Sequence, residues 1–220
     1  MAASVKAVLF DLDGTLVDSA PDLAGTANDM RVVRGLPALP FEALRCHAGS
    51  GARGMLGAAF GLAPDAPAYA VLRDEFHAHY ATRLLRLTCS FEPTARVLLA
   101  LAARGTAWGI VTNKALRFAE PLVQACGLSH TAALVAGDST PHTKPHPAPL
   151  LEAARRLGVA PADCVYVGDD ERDVIAGRAA GMHTLAAAWG YLGAGQDPHT
   201  WGADAVLPDA DALLQWLEVP

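Results

Sequence analysis

The chain has 220 residues, enough for one substantial core with a smaller unit attached, and 52% of them are hydrophobic against 18% charged. That composition excludes a disordered chain, and a formal net charge of −6 with no Lys/Arg run or basic face argues against nucleic acid or anionic membrane as partners. No apolar run is long enough to span a bilayer, and the N-terminus meets acidic residues too early for a signal peptide. Cys46, Cys89, Cys126 and Cys164 are scattered, with no CxxC pair, so the expectation is a cytoplasmic protein with reduced thiols.

Residues 5–10 (VKAVLF) form a short, continuously apolar run that stops at Asp11, the pattern of a buried parallel strand. From about 21 to about 87 the chain reads as helical, with Ser19 as the expected cap, Pro21 in the first turn and Asp22 three residues after the cap. The sheet pattern resumes beyond Phe91, with apolar runs at 108–112, 133–136, 164–167, 184–187 and 205–207. Helical stretches at 115–126, 147–157 and 172–180 separate most of them, and the last two end near the helix-stopping Gly158 and Gly181. Strand alternating with helix implies a Rossmann-like, doubly wound parallel sheet of the α/β class, covered on both faces. The expected division is an α/β core of residues 1–17 and 89–220, with a small all-helical cap of residues 18–88 inserted after the first strand.

Ligands of open α/β sheets bind beyond the carboxyl ends of the strands, and Asp11-Leu12-Asp13-Gly14-Thr15 follows the first strand directly. Two carboxylates two residues apart suit a nucleophile, Asp11, and a general acid/base, Asp13. Gly14 lets the backbone turn sharply so that nearby amides can face a phosphate; an ordinary Asp-Gly turn is the alternative. The chain has three lysines, Lys6, Lys114 and Lys144, and Lys144 sits in a stiff, charge-poor loop among Pro141, Pro145 and Pro147. If the strands before Asp11 and Asp169 are neighbours, Asp169, Asp170 and Asp173 crowd Asp11 and Asp13. Like charges ~4 Å apart repel by about 4 kcal/mol per pair at an effective dielectric of ~20, so the cluster calls for a hard cation such as magnesium. Asp170 is equally readable as the cap of a helix starting near Glu171, and Asp173 as a partner of Arg172 or Arg178.

DLDGTLVDS resembles the first motif of the haloacid dehalogenase superfamily, and three further motifs follow in order. Val111-Thr112-Asn113-Lys114 is similar to the second, Lys144-Pro145-His146-Pro147 to the third, and Gly168-Asp169-Asp170-Glu171-Arg172-Asp173 to the fourth. The resemblance covers essentially the whole chain and implies a magnesium-dependent phosphatase acting on a small-molecule phosphate ester, as a monomer or homodimer. It implies that magnesium is held by Asp11, by the main-chain carbonyl of Asp13 and by Asp169, with Asp173 in support. Thr112, Asn113 and Lys144 would bind the phosphoryl oxygens, with Gly14 beside them. Asp13 argues against dehalogenases and phosphonate hydrolases, which lack the second aspartate; a sugar-phosphate mutase and a retired, non-catalytic binding module remain as alternatives.

Gly49-Ser50-Gly51-Ala52-Arg53-Gly54 matches GxGxxG, but it follows the helical FEALRCHA and no strand, so nucleotide binding is not expected. The loop instead faces the active site from the cap, where Ser50, Gly51 and Arg53 would touch the substrate; Arg53 is equally readable as a surface arginine. His142 and His146 lack an acidic partner at metal spacing and read as loop structure. Within the superfamily, AGDSTPHTKPHPAPLL and YVGDDERDV resemble the phosphoglycolate phosphatase branch. RGLPALP, GSGARGML and WGIVTNKALRFAEPL are similar to the N-acetylmuramic acid 6-phosphate phosphatases of cell-wall recycling. The favoured substrate is therefore N-acetylmuramic acid 6-phosphate, with 2-phosphoglycolate as the alternative. Phe91-Glu92-Pro93-Thr94 departs from the family's proline-glycine turn and puts the geometry of that hinge in question.

Overall fold

A computed structural model describes residues 5–218. Strand β1 (Ala7–Phe10) is buried at all four positions, as its unbroken apolar run requires. After β2 (Val17–Asp18) come four helices: α1 (Ala20–Val33), α2 (Phe41–Arg45), α3 (Gly51–Phe60) and α4 (Tyr69–Arg83). The chain returns through β3 (Cys89–Ser90) into α5 (Glu92–Ala103), β4 (Ala107–Val111), α6 (Leu116–Ala125) and β5 (Ala133–Val135). Then follow α7 (Ala148–Leu157), β6 (Cys164–Gly168), α8 (Glu171–Ala179), β7 (His183–Ala187), β8 (Ala205–Leu207) and α9 (Asp211–Glu218).

Six strands pair in parallel in the order β5-β4-β1-β6-β7-β8. Alternate residues of β1 face opposite sides: Val8 and Phe10 pack with α5 and α6, Ala7 and Leu9 with α7 and α8. Burying Val8, Leu9 and Phe10 contributes about 1.5–3 kcal/mol each, which is why both faces must be covered. Because β1 lies between β4 and β6, the sheet's order reverses around it, and the crevice at such a switch point is where an α/β sheet binds ligands. The register Phe10↔Ile110 and Phe10↔Val167 brings Asp11, Thr112 and Asp169 to one edge. Among the described residues no helix is long and apolar enough to cross a membrane.

The helical segment leaves and rejoins the core through a two-stranded antiparallel ribbon, Val17↔Ser90 and Asp18↔Cys89. Its own core includes Met30, Leu44, Met55, Leu56, Phe76 and Tyr80, all buried. The start of α1 differs from the expected capping box. Ser19 makes no side-chain cap. Instead its hydroxyl bonds Asp13, while fully buried Asp22 accepts hydrogen bonds from Leu87 N (2.9 Å), Thr88 N (2.8 Å) and Thr88 Oγ1 (2.9 Å). Both side chains have partners that lie far away in the chain or outside the helix, and these outcompete local capping. At the return hinge, Phe91 is extended and Pro93 occupies the first turn of α5, so no glycine is required there.

Candidate active site

Asp11 leaves β1 with its amide donating to Val167 O (2.9 Å), which fixes its side chain over the gap between β1, β4 and β6. Its Oδ1 is buried and, apart from the Lys144 ammonium 2.8 Å away, has no partner. Gly14 turns the chain back at φ +84, with its amide donating to Val17 O (2.9 Å); a Cβ there would sit 2.2 Å from Asp169 Oδ2. The backbone must therefore be bare at Gly14, and likewise at Gly190, where a Cβ would sit 2.2 Å from Asp169 Cβ. Thr15 Oγ1 (3.1 Å) and Tyr191 N (2.7 Å) then donate to the two Asp169 oxygens.

Lys144 is 4% exposed and is the centre of the buried polar network. Its Nζ reaches Asp173 Oδ1 at 2.7 Å, Tyr166 OH at 2.7 Å and Val111 O at 3.1 Å besides Asp11. Asn113 clamps the lysine loop, its amide donating to Lys144 O (2.9 Å) and its carbonyl oxygen accepting from Lys144 N (2.9 Å). Thr112 is buried at the end of β4, with its hydroxyl accepting from Lys114 N (3.1 Å). Asp170 caps α8 and Asp173 answers it in a capping box, so one carboxylate holds the helix start while the other reaches Lys144 and Tyr166. Neither expected arginine pairs with Asp173: Arg172 is held by Asp170, and Arg178 Nη1 donates to Gly202 O.

Three contributors meet partners that the sequence did not point to. Lys114 Nζ sits 3.1 Å from Asp13 Oδ1 and 3.0 Å from Tyr80 OH, which joins the acid to a helix of the inserted segment. Arg172 is gripped by Asp170 and donates to Gly49 O (2.8 Å), tying α8 to the turn before α3. The Tyr191 hydroxyl accepts from Ser19 N (2.8 Å) and Ala20 N (3.0 Å) at the hinge. Lys114 lay inside a motif and was findable there. An aromatic on an amphipathic helix, like Tyr80, carries no signal beyond core.

A cavity of 270 Å³ opens over Asp11 and Asp13, with Thr112, Asn113 and Lys114 on the sheet side and Ser50, Gly51, Phe76 and Tyr80 opposite. Arg53 is exposed and lies outside this lining, whereas Gly49, Ser50, Gly51 and Ala52 belong to it. The GxGxxG stretch begins inside the 3₁₀ turn Ala48–Ser50 and opens α3 without a preceding strand. His142 and His146 are exposed and stack at 4.2 Å, and His146 Nδ1 accepts from Ala148 N, a loop role.

Asp11, Asp169 and Asp173 each place an oxygen within 4.8 Å of the others. Such an all-oxygen, anionic donor set fits a hard divalent cation. Burial, opposed by Lys144 and reinforced by Asp173, pushes the Asp11 carboxyl up to about 7. Burial and then the charges of Asp11 and Asp173 raise Asp169 well above the carboxylate range. Burial opposes the Lys144 charge, but Asp11 and Asp173 outweigh it and keep the ammonium protonated. A carboxyl with a raised folded pKa stabilises the fold below its unfolded pKa near 4 and loses that contribution as pH rises through the folded value. The metal-free protein is therefore expected to show a falling Tm between about pH 4 and 7, measured by calorimetry in chelator. A flat or rising profile there would contradict this electrostatic account.

The family described as haloacid dehalogenase-like hydrolase matches residues 5–181. The chain belongs to that family. A Pseudomonas aeruginosa N-acetylmuramic acid 6-phosphate phosphatase is 40% identical over 215 residues, covering 97% of this chain and 95% of the relative. A Xanthomonas campestris pv. campestris phosphoglycolate phosphatase is 46% identical over 211 residues, covering 96% and 95%. The crystal structure of a predicted phosphoglycolate phosphatase from Haemophilus somnus superposes with a TM-score of 0.84 at 28% identity, covering 96% of this chain and 97% of that one. As a haloacid dehalogenase-like hydrolase, the chain has its family's sheet, and its acidic cluster lies at the carboxyl end of β1 and β6.

Proposed function

We propose that this hydrolase is a cytoplasmic, magnesium-dependent phosphatase of small phosphate monoesters that works through a phosphoaspartate on Asp11. The observation that carries the reading is Asp11 at the switch point, with Lys144 at 2.8 Å on one side and Asp13 facing the same cavity. In this reading residues 18–88 form a separate cap domain over the core. Asp11 attacks phosphorus in line, and the bond to the leaving alcohol breaks as Asp13 passes its proton to that oxygen. Asp13, again a carboxylate, then takes a proton from water as the water oxygen attacks phosphorus and the Asp11–phosphorus bond breaks. Ser19 and Lys114 hold Asp13 in position for both transfers. Thr112 and Lys144 bind the phosphoryl oxygens, while Asn113 and Gly14 shape the loops that present them. Asp11, the Asp13 carbonyl and Asp169 would hold magnesium, with Asp173 oriented behind them; when bound, the ion screens the phosphoryl charge from the carboxylates. The four cysteines are free, in keeping with a reducing compartment.

The substrate we favour is N-acetylmuramic acid 6-phosphate, with 2-phosphoglycolate the alternative supported by the 46% identical relative. Phosphate release across sugar phosphates, 2-phosphoglycolate and nucleotides tests the choice, and clear preference for phosphoglycolate would overturn the muramate assignment. A mutase would instead isomerise a sugar phosphate without releasing phosphate. Asp13→Asn is expected to cost 10²–10⁴-fold on an alkyl phosphate, the usual worth of general acid catalysis, and far less on p-nitrophenyl phosphate. The p-nitrophenolate group departs without a proton. Equal losses on both esters would make Asp13 a structural or metal-holding group instead.

A further inference from the structure

Beside the reaction cavity lies a second, larger cleft of 910 Å³ between α4 and α6, and the two share His77 and Phe118 in their walls. Its volume lies in the ~300–1,000 Å³ range of small-molecule sites. Every cation that serves the reaction cavity already has a carboxylate: Lys144 pairs with Asp11 and Asp173, Lys114 with Asp13, and Arg172 with Asp170 through both Nε and Nη2 at 2.7 Å. Arg86 and Arg117 line the larger cleft, and neither pairs with a carboxylate among the described residues. The one acid in that lining, Asp74, is held by Arg73 at 2.7 Å. Arg117 lies over the Phe118 ring at 4.6 Å, with His77 5.6 Å from the same ring. Burial, and next the charge of Arg117, lower the His77 pKa, leaving a neutral imidazole at the junction.

We propose that the α4–α6 cleft is the subsite for a carboxylate carried by the leaving-group half of the substrate, with Arg117 and Arg86 as its ligands and His77 and Phe118 against the organic body between. This rests on the phosphatase reading above and deepens it. The substrate contact expected of Arg53 passes to arginines outside the GxGxxG stretch. A guanidinium with all donors free offers the two-pronged geometry that a carboxylate matches, which Arg172 has already spent on Asp170.

The test compares the full-length magnesium enzyme with Arg117→Gln, Arg86→Gln and the double variant on three esters. N-acetylmuramic acid 6-phosphate carries the carboxylate, N-acetylglucosamine 6-phosphate is the same sugar without it, and p-nitrophenyl phosphate reports the chemistry alone. The wild type is expected to favour the muramate ester over the glucosamine one, and Arg117→Gln to lower kcat/KM on the muramate ester about tenfold or more, mainly through KM. That is the scale of one charge-assisted hydrogen bond. The loss on the other two esters is expected to be several times smaller, so that the wild-type preference collapses. Equal losses on all three esters, or no loss on any, overturn the subsite while the phosphatase reading stands. Failure of the wild type to hydrolyse any of the three overturns both.

Discussion

Asp11→Asn is expected to give a folded protein with turnover reduced by roughly 10⁴-fold or more, the scale of losing a covalent nucleophile. The amide is nearly isosteric with the carboxylate but cannot form the aspartyl phosphate. The fold should tolerate the change well, because burial holds the Asp11 carboxyl up at about 7 and so disfavours its charged form. Above the unfolded pKa near 4, a neutral side chain therefore removes a destabilising charge, even after the contact to Lys144 is weakened. In chelator at pH 8 the variant's Tm should match or exceed that of the parent. Activity above a tenth of the parent, with an unchanged circular dichroism spectrum, would refute the assignment of Asp11.

Lys144→Met carries the largest expected loss of stability. The ammonium is the common partner of Asp11 and Asp173 and also bonds Tyr166 and Val111, and it is itself buried. Breaking a buried ion pair by removing one partner costs about 3–5 kcal/mol, since the opposite charge is left uncompensated. In a chain of this size each kcal/mol lowers Tm by roughly 2–4 °C. The deficit should grow from pH 5 to pH 8 as the stranded carboxylates ionise, and magnesium should restore part of the Tm but not the activity. A Tm unchanged at pH 8 in chelator would show that the lysine is not the counter-charge of this cluster.

The sheet was legible because the strands are short and mostly apolar, and the six runs fall within two residues of β1, β4, β5, β6, β7 and β8. Residues at the strand ends were legible for the same reason: Asp11, Thr112 and Asp169 follow their strands directly. The pair Val17–Asp18 and Cys89–Ser90 was not, since two residues of extended chain leave no periodicity to read. Ser19 and Asp22 were misread because local spacing suggested a capping box, whereas Asp13 and Thr88 supply competing partners that only the folded chain brings near. Lys114 and Tyr80 meet across the gap between core and inserted helices, a contact between positions with no shared pattern in sequence. Arg53 was placed at the site by the direction of its loop, but α3 begins at Gly51 and turns that side chain outward, while Arg172 approaches from the other side.

The ribbon of β2 and β3, with Asp22 grasping Leu87 and Thr88, has a consequence for how such a molecule changes over generations. The helices between these strands begin and end side by side, so the sheet sees them as a hairpin whose length it does not sense. Loop-closure entropy rises only with the logarithm of loop length, about 0.6 kcal/mol for each doubling. Insertions, deletions or wholesale exchange of that stretch therefore leave the β-strand frame almost undisturbed and change only the partners it offers Lys114 and Arg172. A graft from a distant homologue has to match one short spacing, the gap between two adjacent strands, to join the sheet without straining it.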